Sequence, residues 1–284
     1  MKRLIVTLAT LTLLTGVLAA PVSAITNGDK DEDGHPYVGL MTAIDEDGFA
    51  LWRCTGTLIA PTLFLTAGHC VEAPAAHIEV WFSSGPVPID PEFAAALAAA
   101  APDDVSCSAD PAFDGYPCQG DVGGTPHGHP DYDPNAFFLF DLGMVVLDEP
   151  MPMDTYGQLP ALDQLDALKP RRSTTFTAVG YGRQRSFPSA TSWKVIAIRE
   201  RYVANPHLLQ INTGFTGDFA MMLSNNANTG GTCFGDSGGP NFLGDSNVIA
   251  GVTSFGLNFP CGGTGGVYRI DRADDLNWIN TFLD

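Results

Sequence analysis

The chain carries Cys233-Phe-Gly-Asp-Ser-Gly-Gly-Pro240, a stretch in which glycines stand on both sides of Ser237. Glycines let the backbone turn sharply, expose the serine oxygen and leave room for a substrate to reach backbone N–H groups. Such N–H groups form an oxyanion hole where the chain kinks. A glycine-rich hairpin turn has the same composition and is the plain alternative. The stretch therefore predicts a serine nucleophile.

A serine nucleophile needs a base, and the positions of the histidines restrict the choice. The G-x-S-x-G pattern also occurs in α/β-hydrolases, where the histidine follows the serine. Here the last histidine, His207, precedes Ser237, so that fold is excluded. His69 is the best candidate because it follows the apolar run Leu63–Leu65 at the end of a predicted strand, beside Cys70. The remaining histidines are interpreted as solvent-exposed or structural: His35, His77, His127, His129 and His207.

The base needs a buried carboxylate to orient its ring and stabilise its charged form. Most acidic residues lie in polar, turn-like stretches, but Asp141 lies inside the apolar run from Ala136 to Leu147. An unpaired carboxylate is costly in such a place. A turn residue at the start of a strand is the alternative interpretation. The chain order His69, Asp141, Ser237 is that of chymotrypsin rather than of subtilisin.

Short apolar, β-branched runs separated by Gly, Pro and Asp predict an all-β barrel or sandwich. Asp90 and Pro91 predict the start of a short helix, and a second helix is expected at the C-terminus, with Leu276, Ile279 and Leu283 on one face. Residues 150–170 are predicted to connect two halves, and residues 83–136 to be surface insertions. The predicted strands are Phe49–Trp52, Thr57–Ile59, Leu63–Thr66, Ile78–Phe82, Leu142–Leu147, Phe176–Val179, Lys194–Ile198, Val248–Phe255 and Val267–Ile270.

The N-terminus predicts export. Lys2 and Arg3 precede an apolar stretch shorter than the roughly 20 residues of a membrane-spanning helix, and small residues follow it up to Ala24. Residues 1–24 are therefore predicted to be a signal peptide, and the mature protein to be secreted without a membrane anchor.

The formal net charge of the whole chain is -18, with 14 Lys+Arg and 32 Asp+Glu. Without a basic cluster, this charge excludes a nucleic-acid-binding surface.

The six cysteines suggest disulfides in an exported protein, although their spacing alone leaves many pairings open. No C-x-x-C occurs, so a zinc site is not indicated. No other cofactor is expected.

Jointly, several motifs resemble those of the chymotrypsin/trypsin family of serine proteases. They are Thr66-Ala-Gly-His-Cys70, Asp141-Leu-Gly-Met-Val-Val-Leu147, Gly235-Asp-Ser-Gly-Gly-Pro240 and Ser254-Phe-Gly256. The resemblance implies a fold of two antiparallel six-stranded β-barrels with the site between them. The barrels would cover about 25–150 and about 165–270, followed by a helix over about 271–284.

The resemblance also implies the role of each residue. Ser237 would be the nucleophile, His69 the base and Asp141 its orienting carboxylate, and the N–H groups of Gly235 and Ser237 would bind the oxyanion. The substrates would be polypeptides, and a monomer is expected. Cys54–Cys70 and Cys233–Cys261 would be disulfides. Cys107 and Cys118 then remain as a pair that the family pattern does not supply.

The resemblance places the specificity pocket at Gly231, Thr232, Ser254, Gly256 and Gly266. Trypsin-like members carry an aspartate at the position of Gly231, so an uncharged pocket for a large apolar side chain is expected. A loose, broad pocket is the alternative.

The resemblance further implies that a free amine at Ile25 pairs with Asp236 and shapes the site. Signal-peptide cleavage alone would create this amine, so no zymogen stage is expected. Two other functions remain open: a catalytically silent binding protein and a serine esterase on the same fold.

Overall fold

The computed structural model describes residues 24–100 and 104–283. The predicted signal peptide therefore lies outside the described residues, apart from Ala24. The described part is mostly β, as predicted, with one helix near the C-terminus. No helix in this part of the chain combines the length and apolarity that crossing a membrane requires.

Six antiparallel strands close the first barrel in the order β2-β3-β4-β7-β6-β5. All seven residues of β2 are buried, and large apolar side chains such as Phe64 and Met144 fill the interior. The strands are β2 Val38–Ile44, β3 Ala50–Ala60, β4 Leu63–Thr66, β5 His77–Trp81, β6 Val122–Gly128 and β7 Gly143–Leu147.

A second, barrel-like sheet contains eight strands in the order β1-β9-β8-β12-β13-β14-β11-β10. Six strands were expected, and the two additional ones lie at the ends of the sheet. One comes from the N-terminal segment and pairs with β9, while the other forms a hairpin with β11. The strands are β1 Asp29–Lys30, β8 Phe176–Gly180, β9 Tyr202–Ala204, β10 Leu208–Thr213, β11 Gly217–Asn225, β12 Pro240–Leu243, β13 Ile249–Gly256 and β14 Gly263–Arg269.

The helix Ala273–Asn280 connects the end of the second sheet to the first barrel. Ile279 is fully buried, and Trp278 and Phe282 pack against the core that includes the first barrel. The other helical segments are the turn Ala24–Asn27, the helix Pro91–Ala99 and the 3-10 helices Gly68–Cys70, Pro134–Ala136, Gln164–Ala167 and Ser189–Lys194.

Residues 83–136 are only in part a surface insertion. Asp90 caps the helix Pro91–Ala99 by accepting hydrogen bonds from the N–H groups of Glu92 and Phe93, as the sequence predicts. The interpretation was wrong for β6, which completes the first barrel. Its sequence, Val-Gly-Gly-Thr-Pro-His-Gly, is rich in small and polar residues and has no apolar alternation that could have revealed a strand.

The strand predicted over Lys194–Ile198 is also absent. Only Ile196 makes an isolated bridge, to Arg185. The side chains of this stretch are exposed or half-buried, so no buried face holds it in a sheet.

Candidate active site

The backbone around Ser237 is held by the first barrel. The N–H of Thr55 in β3 donates to the carbonyl of Ser237 at 2.8 Å, and its hydroxyl donates to the carbonyl of Gly235 at 2.9 Å. Gly238 has φ 76°, and a Cβ there would lie 2.0 Å from Thr66 Oγ1. Glycine is therefore required at this position to let the turn pack against β4.

The turn leaves two backbone donors free. Gly235 has φ 96°. Within the described residues, neither the N–H of Gly235 nor that of Ser237 donates a hydrogen bond to another protein group. Two free N–H groups within three consecutive residues of one turn are suited to binding an oxyanion.

The ring of His69 is held by Asp141. Its Nδ1 lies 3.0 Å from each carboxylate oxygen of Asp141, and its backbone N–H donates to Oδ1 at 3.0 Å. Asp141 is fully buried, and the hydroxyl of Ser254 donates to its Oδ2 at 2.5 Å. The carboxylate is thus compensated by three donors, and it fixes both the position and the tautomer of the imidazole.

Burial of His69 alone would lower the pKa of its ring, but the Asp141 carboxylate outweighs this effect and raises the pKa above its usual value. His69 and Ser237 line the same cleft of about 400 Å³. In the described part of the chain, no hydrogen bond joins the Ser237 hydroxyl to the His69 ring. A hydrogen bond between a nucleophile and its base is often long or poorly aligned in the free enzyme, and it shortens when substrate binds.

A second cavity, of about 250 Å³, is also lined by Ser237 and Phe234 but not by His69. Of the five residues predicted for the specificity pocket, three line it: Thr232, Ser254 and Gly256. The remaining lining contains aromatic and small polar side chains but no charged one: Phe137, Cys233, Phe234, Thr253, Phe255, Asn258, Cys261 and Thr264.

The other two predicted pocket residues, Gly231 and Gly266, are not among the lining residues. Gly231 lies against Asn225, where a Cβ would be 2.4 Å from Cγ. At Gly266 a Cβ would be 2.5 Å from the ring of Phe255. These glycines allow close packing behind the wall of the cavity.

The carboxylate of Asp236 is fully buried directly before Ser237. It accepts hydrogen bonds from the N–H groups of Gly182 and Cys233 at 2.7 and 2.8 Å. Burial raises its pKa to about 7, although these donors and Arg53 act in the opposite direction. Gly182 makes room for it, since a Cβ there would lie 2.4 Å from Oδ2.

The side chain of Ile25 is fully buried against Ala178, Tyr202 and Ala204. Its nitrogen is in peptide linkage with Ala24, so it carries no amine that could pair with Asp236. Thr26, the next residue, donates to Asn225 Oδ1 at 2.7 Å, and the Asn225 amide donates to the carbonyl of Thr232, which lines the specificity cavity.

Three disulfides join Cys54 to Cys70, Cys107 to Cys118 and Cys233 to Cys261. The first lies beside His69, and the third forms part of the wall of the 250 Å³ cavity. The side chains of Cys54, His69 and Cys70 lie close enough together to suggest a site for one metal ion. The two sulfurs are bonded to each other, so they cannot serve as thiolate ligands.

The other histidines have different partners. His35 pairs with Asp31, His77 with Glu79 and His207 with Ser224. His129 is buried and stacks on Phe140, and His127 lies near Phe282. Among the described residues, only His69 shares a cleft with Ser237.

A sequence model of the family described as Trypsin matches residues 25–90 and 119–279. These ranges contain the Ser237 loop, His69, Asp141 and both sheets. The chain belongs to the trypsin family.

Solved structures of this fold include an HL collagenase, with 21% identity, a TM-score of 0.62 and coverage of 91% of this chain and 98% of that chain. Human heparin binding protein is also similar, with 19% identity, a TM-score of 0.60 and coverage of 91% and 96%. At these identities the likeness concerns the fold. No curated protein matches the chain.

This trypsin-family chain has site residues that its sequence did not reveal. Arg53 and Arg183 line the cleft beside His69 and Ser237, with Trp52 and Phe234. They are 130 positions apart, and no motif marks either of them. Ser254 was predicted as a pocket residue only, and its hydrogen bond to Asp141 depends on the docking of β13 beside the first barrel.

Proposed function

We propose that this trypsin-family protein is a secreted serine endopeptidase that cleaves peptide bonds through Ser237, His69 and Asp141. The observation that carries the proposal is the buried Asp141 carboxylate, which holds Nδ1 of His69 in the cleft that Ser237 lines. Asp141 fixes the tautomer in which Nε2 is free to accept a proton.

In this mechanism the Ser237 hydroxyl attacks the scissile carbonyl while His69 Nε2 takes its proton. The N–H groups of Gly235 and Ser237 stabilise the oxyanion, and Asp141 stabilises the imidazolium. His69 then gives the proton to the leaving amine. The bond between the carbonyl carbon and this amine breaks, and the acyl group stays attached to Ser237. A water molecule, activated by the same histidine, hydrolyses the acyl-enzyme.

The uncharged cavity supports a preference for a large apolar residue before the scissile bond. Phe137, Phe234 and Phe255 offer apolar contacts, and no lining side chain could pair with Lys or Arg. We expect Phe, Tyr, Leu and Met to be accepted best. The protein is proposed to act as a monomer on polypeptides, without a cofactor and without nucleic-acid partners.

Hydrolysis of a peptide series tests this function. Peptides that differ only in Phe, Leu, Arg or Glu before the scissile bond are incubated with the mature protein and with Ser237→Ala. Phe and Leu peptides should be cleaved fastest, and Ser237→Ala should lose nearly all turnover. Cleavage of esters but of none of the peptides would favour the esterase, and a folded protein with no turnover of either would favour the binding protein.

The pH dependence of turnover should report the protonation of His69. Only the neutral ring can accept the serine proton, and Asp141 raises the pKa of this ring above 6.5. We therefore expect kcat/KM to fall as the pH decreases through a pKa above 6.5. A pH–rate profile for a Phe peptide measures it. A rate that stays constant down to pH 5 would contradict the assignment of His69 as the base.

Thr232→Asp should shift the preference for the residue before the scissile bond from Phe towards Arg. Thr232 lines the specificity cavity, whereas a side chain at Gly231 would collide with Asn225. A carboxylate at position 232 should raise kcat/KM for an Arg peptide relative to a Phe peptide by about tenfold or more. Thr232→Asn, which has a similar size and no charge, is the control. An equal change in both variants would mean that charge in this cavity does not select the substrate.

We further propose that Ile25 is the mature N-terminus and that its ammonium group pairs with Asp236. A buried carboxylate whose described hydrogen-bond donors are backbone N–H groups would be stabilised by such a cation. Because cleavage after Ala24 would create the amine directly, the protein should be active on export. Mass spectrometry of the secreted protein tests the start site, and any mature N-terminus other than Ile25 would contradict this activation.

A further inference from the structure

Two arginines in the cleft have no direct ion pair with a carboxylate among the described residues, although Arg53 is near enough to the buried Asp236 to limit the rise that burial causes in the pKa of that carboxyl. Arg53 and Arg183 both line the 400 Å³ cleft, and within the described residues neither forms an ion pair. Arg183 lies over the ring of Phe234, at 5.0 Å from its centroid. By contrast, the buried Arg201 and Arg269 are each paired with a carboxylate. In a chain with 32 acidic residues, unpaired arginines in a cleft indicate a site for an acidic ligand.

The position of these arginines relative to Ser237 indicates which part of a peptide substrate they would contact. The 250 Å³ specificity cavity and the cleft with His69 are separate spaces that share Ser237 and Phe234, and only the cleft is lined by His69, Arg53 and Arg183. A side chain before the scissile bond would occupy the cavity. The segment after the bond must then cross the cleft, where His69 protonates the leaving amine. Arg53 and Arg183 would therefore face the leaving-group side.

An apolar groove continues from this cleft. It has a volume of about 320 Å³ and shares Trp52 and Arg53 with the cleft. One wall belongs to β3, and the other belongs largely to the segment 91–118, which the family model does not match. The side chains of this second wall include Phe93, Leu97, Tyr116 and Pro117, with Ile89 just before the segment.

The described residues of this segment, 91–100 and 104–118, are held together by packing and by a disulfide. Phe93, Val105 and Phe113 form a small core of their own, and the Cys107–Cys118 disulfide packs against it. The 40% exposed side chain of Ile89 contributes to the groove. Because Ser237 lines the cleft but not the groove, a residue in the groove would lie farther from the scissile bond than one beside the arginines.

We propose that the leaving-group side of the cleft is a subsite for an acidic residue one or two positions after the scissile bond, and that the groove accepts an apolar residue beyond it. The subsite rests on the proposed peptidase function and narrows its substrate class. The carboxylate of the substrate would pair with Arg53 and Arg183. The apolar side chain would be buried between β3 and the segment 91–118.

Peptides that share Phe before the scissile bond and carry Asp, Asn or Lys directly after it test the acidic subsite. We expect kcat/KM to be about tenfold higher for Asp than for Asn, and lower still for Lys. The ratio of kcat/KM for the Asp peptide to that for the Asn peptide should decrease as the salt concentration is raised, because the arginines are only half-buried. Arg183→Glu should reverse the order of Asp and Lys. Arg171→Glu, which changes an exposed arginine outside the cleft, should preserve it.

A second pair of peptides, with Leu or Ser beyond the acidic residue, tests the groove. Leu should be preferred several-fold, and Ile89→Ser should reduce this preference. Ile198→Ser, at an isoleucine that is 43% exposed and outside the groove, is the matched control.

Labelling of Ser237 by a fluorophosphonate, which has no peptide segment after the reacting atom, separates the two proposals. A folded protein that is not labelled would contradict the peptidase itself. A labelled protein that cleaves the Asp, Asn and Lys peptides equally, or whose preference survives Arg183→Glu, would overturn the subsite.

Discussion

Asp141→Asn is expected to reduce kcat for a Phe peptide by about four orders of magnitude. In the structure both carboxylate oxygens lie 3.0 Å from Nδ1 of His69, so this nitrogen donates and Nε2 is free to accept. The asparagine amide can donate to Nδ1 instead, which places the proton on Nε2. The ring would then be unable to accept the proton of Ser237, although the geometry would be preserved.

Steady-state hydrolysis by the variant and by Asp131→Asn measures this effect. Asp131 is exposed, and its replacement should leave kcat unchanged. Circular dichroism of both variants establishes that they are folded. A decrease in kcat smaller than tenfold in folded Asp141→Asn would mean that Asp141 does not orient the catalytic base.

Arg201→Met is expected to lower the free energy of unfolding by about 3–5 kcal/mol. The Arg201 side chain is buried, and its guanidinium donates to Asp31 Oδ2 at 2.8 Å. It also donates to the carbonyls of Glu32, Val38 and Phe82, which ties the N-terminal segment to the first barrel. Methionine fills a similar volume but leaves the Asp31 carboxylate without this buried cation.

Denaturant unfolding monitored by fluorescence measures this loss. Arg172→Met, at an exposed position, should change the stability by less than about 0.5 kcal/mol. In Arg201→Met, Asp31 keeps its contacts with His35 but loses its buried guanidinium partner. The double variant Asp31→Asn/Arg201→Met should recover part of the loss, because it removes this incompletely compensated buried charge. A loss below about 1 kcal/mol in Arg201→Met alone would show that the network contributes little to stability.

Local motifs made the fold class and the candidate triad predictable. Glycines around Ser237 and the apolar surroundings of Asp141 are properties of a few neighbouring residues, so the sequence carries them directly. The capping of a helix by Asp90 is local in the same way. Family membership and an all-β fold with a C-terminal helix are confirmed. The catalytic roles stay predictions until turnover is measured.

Features that depend on tertiary packing could not be predicted from neighbouring residues in the sequence. β6 is recognised as a strand only from its pairing with β5 and β7, because its own sequence lacks an apolar pattern. The contact of Ser254 with Asp141 spans 113 positions. Gly231 was assigned to the pocket by its place in a motif, whereas the structure packs it against Asn225.

The most direct test of the account is labelling of the mature protein by a fluorophosphonate at neutral pH, followed by peptide mapping of the adduct. We predict one adduct, on Ser237, because His69 activates this hydroxyl beside two free N–H groups. Labelling should be absent in Ser237→Ala. If a folded protein with the N-terminus Ile25 gives no adduct, or gives it on another residue, the proposed catalytic site is wrong.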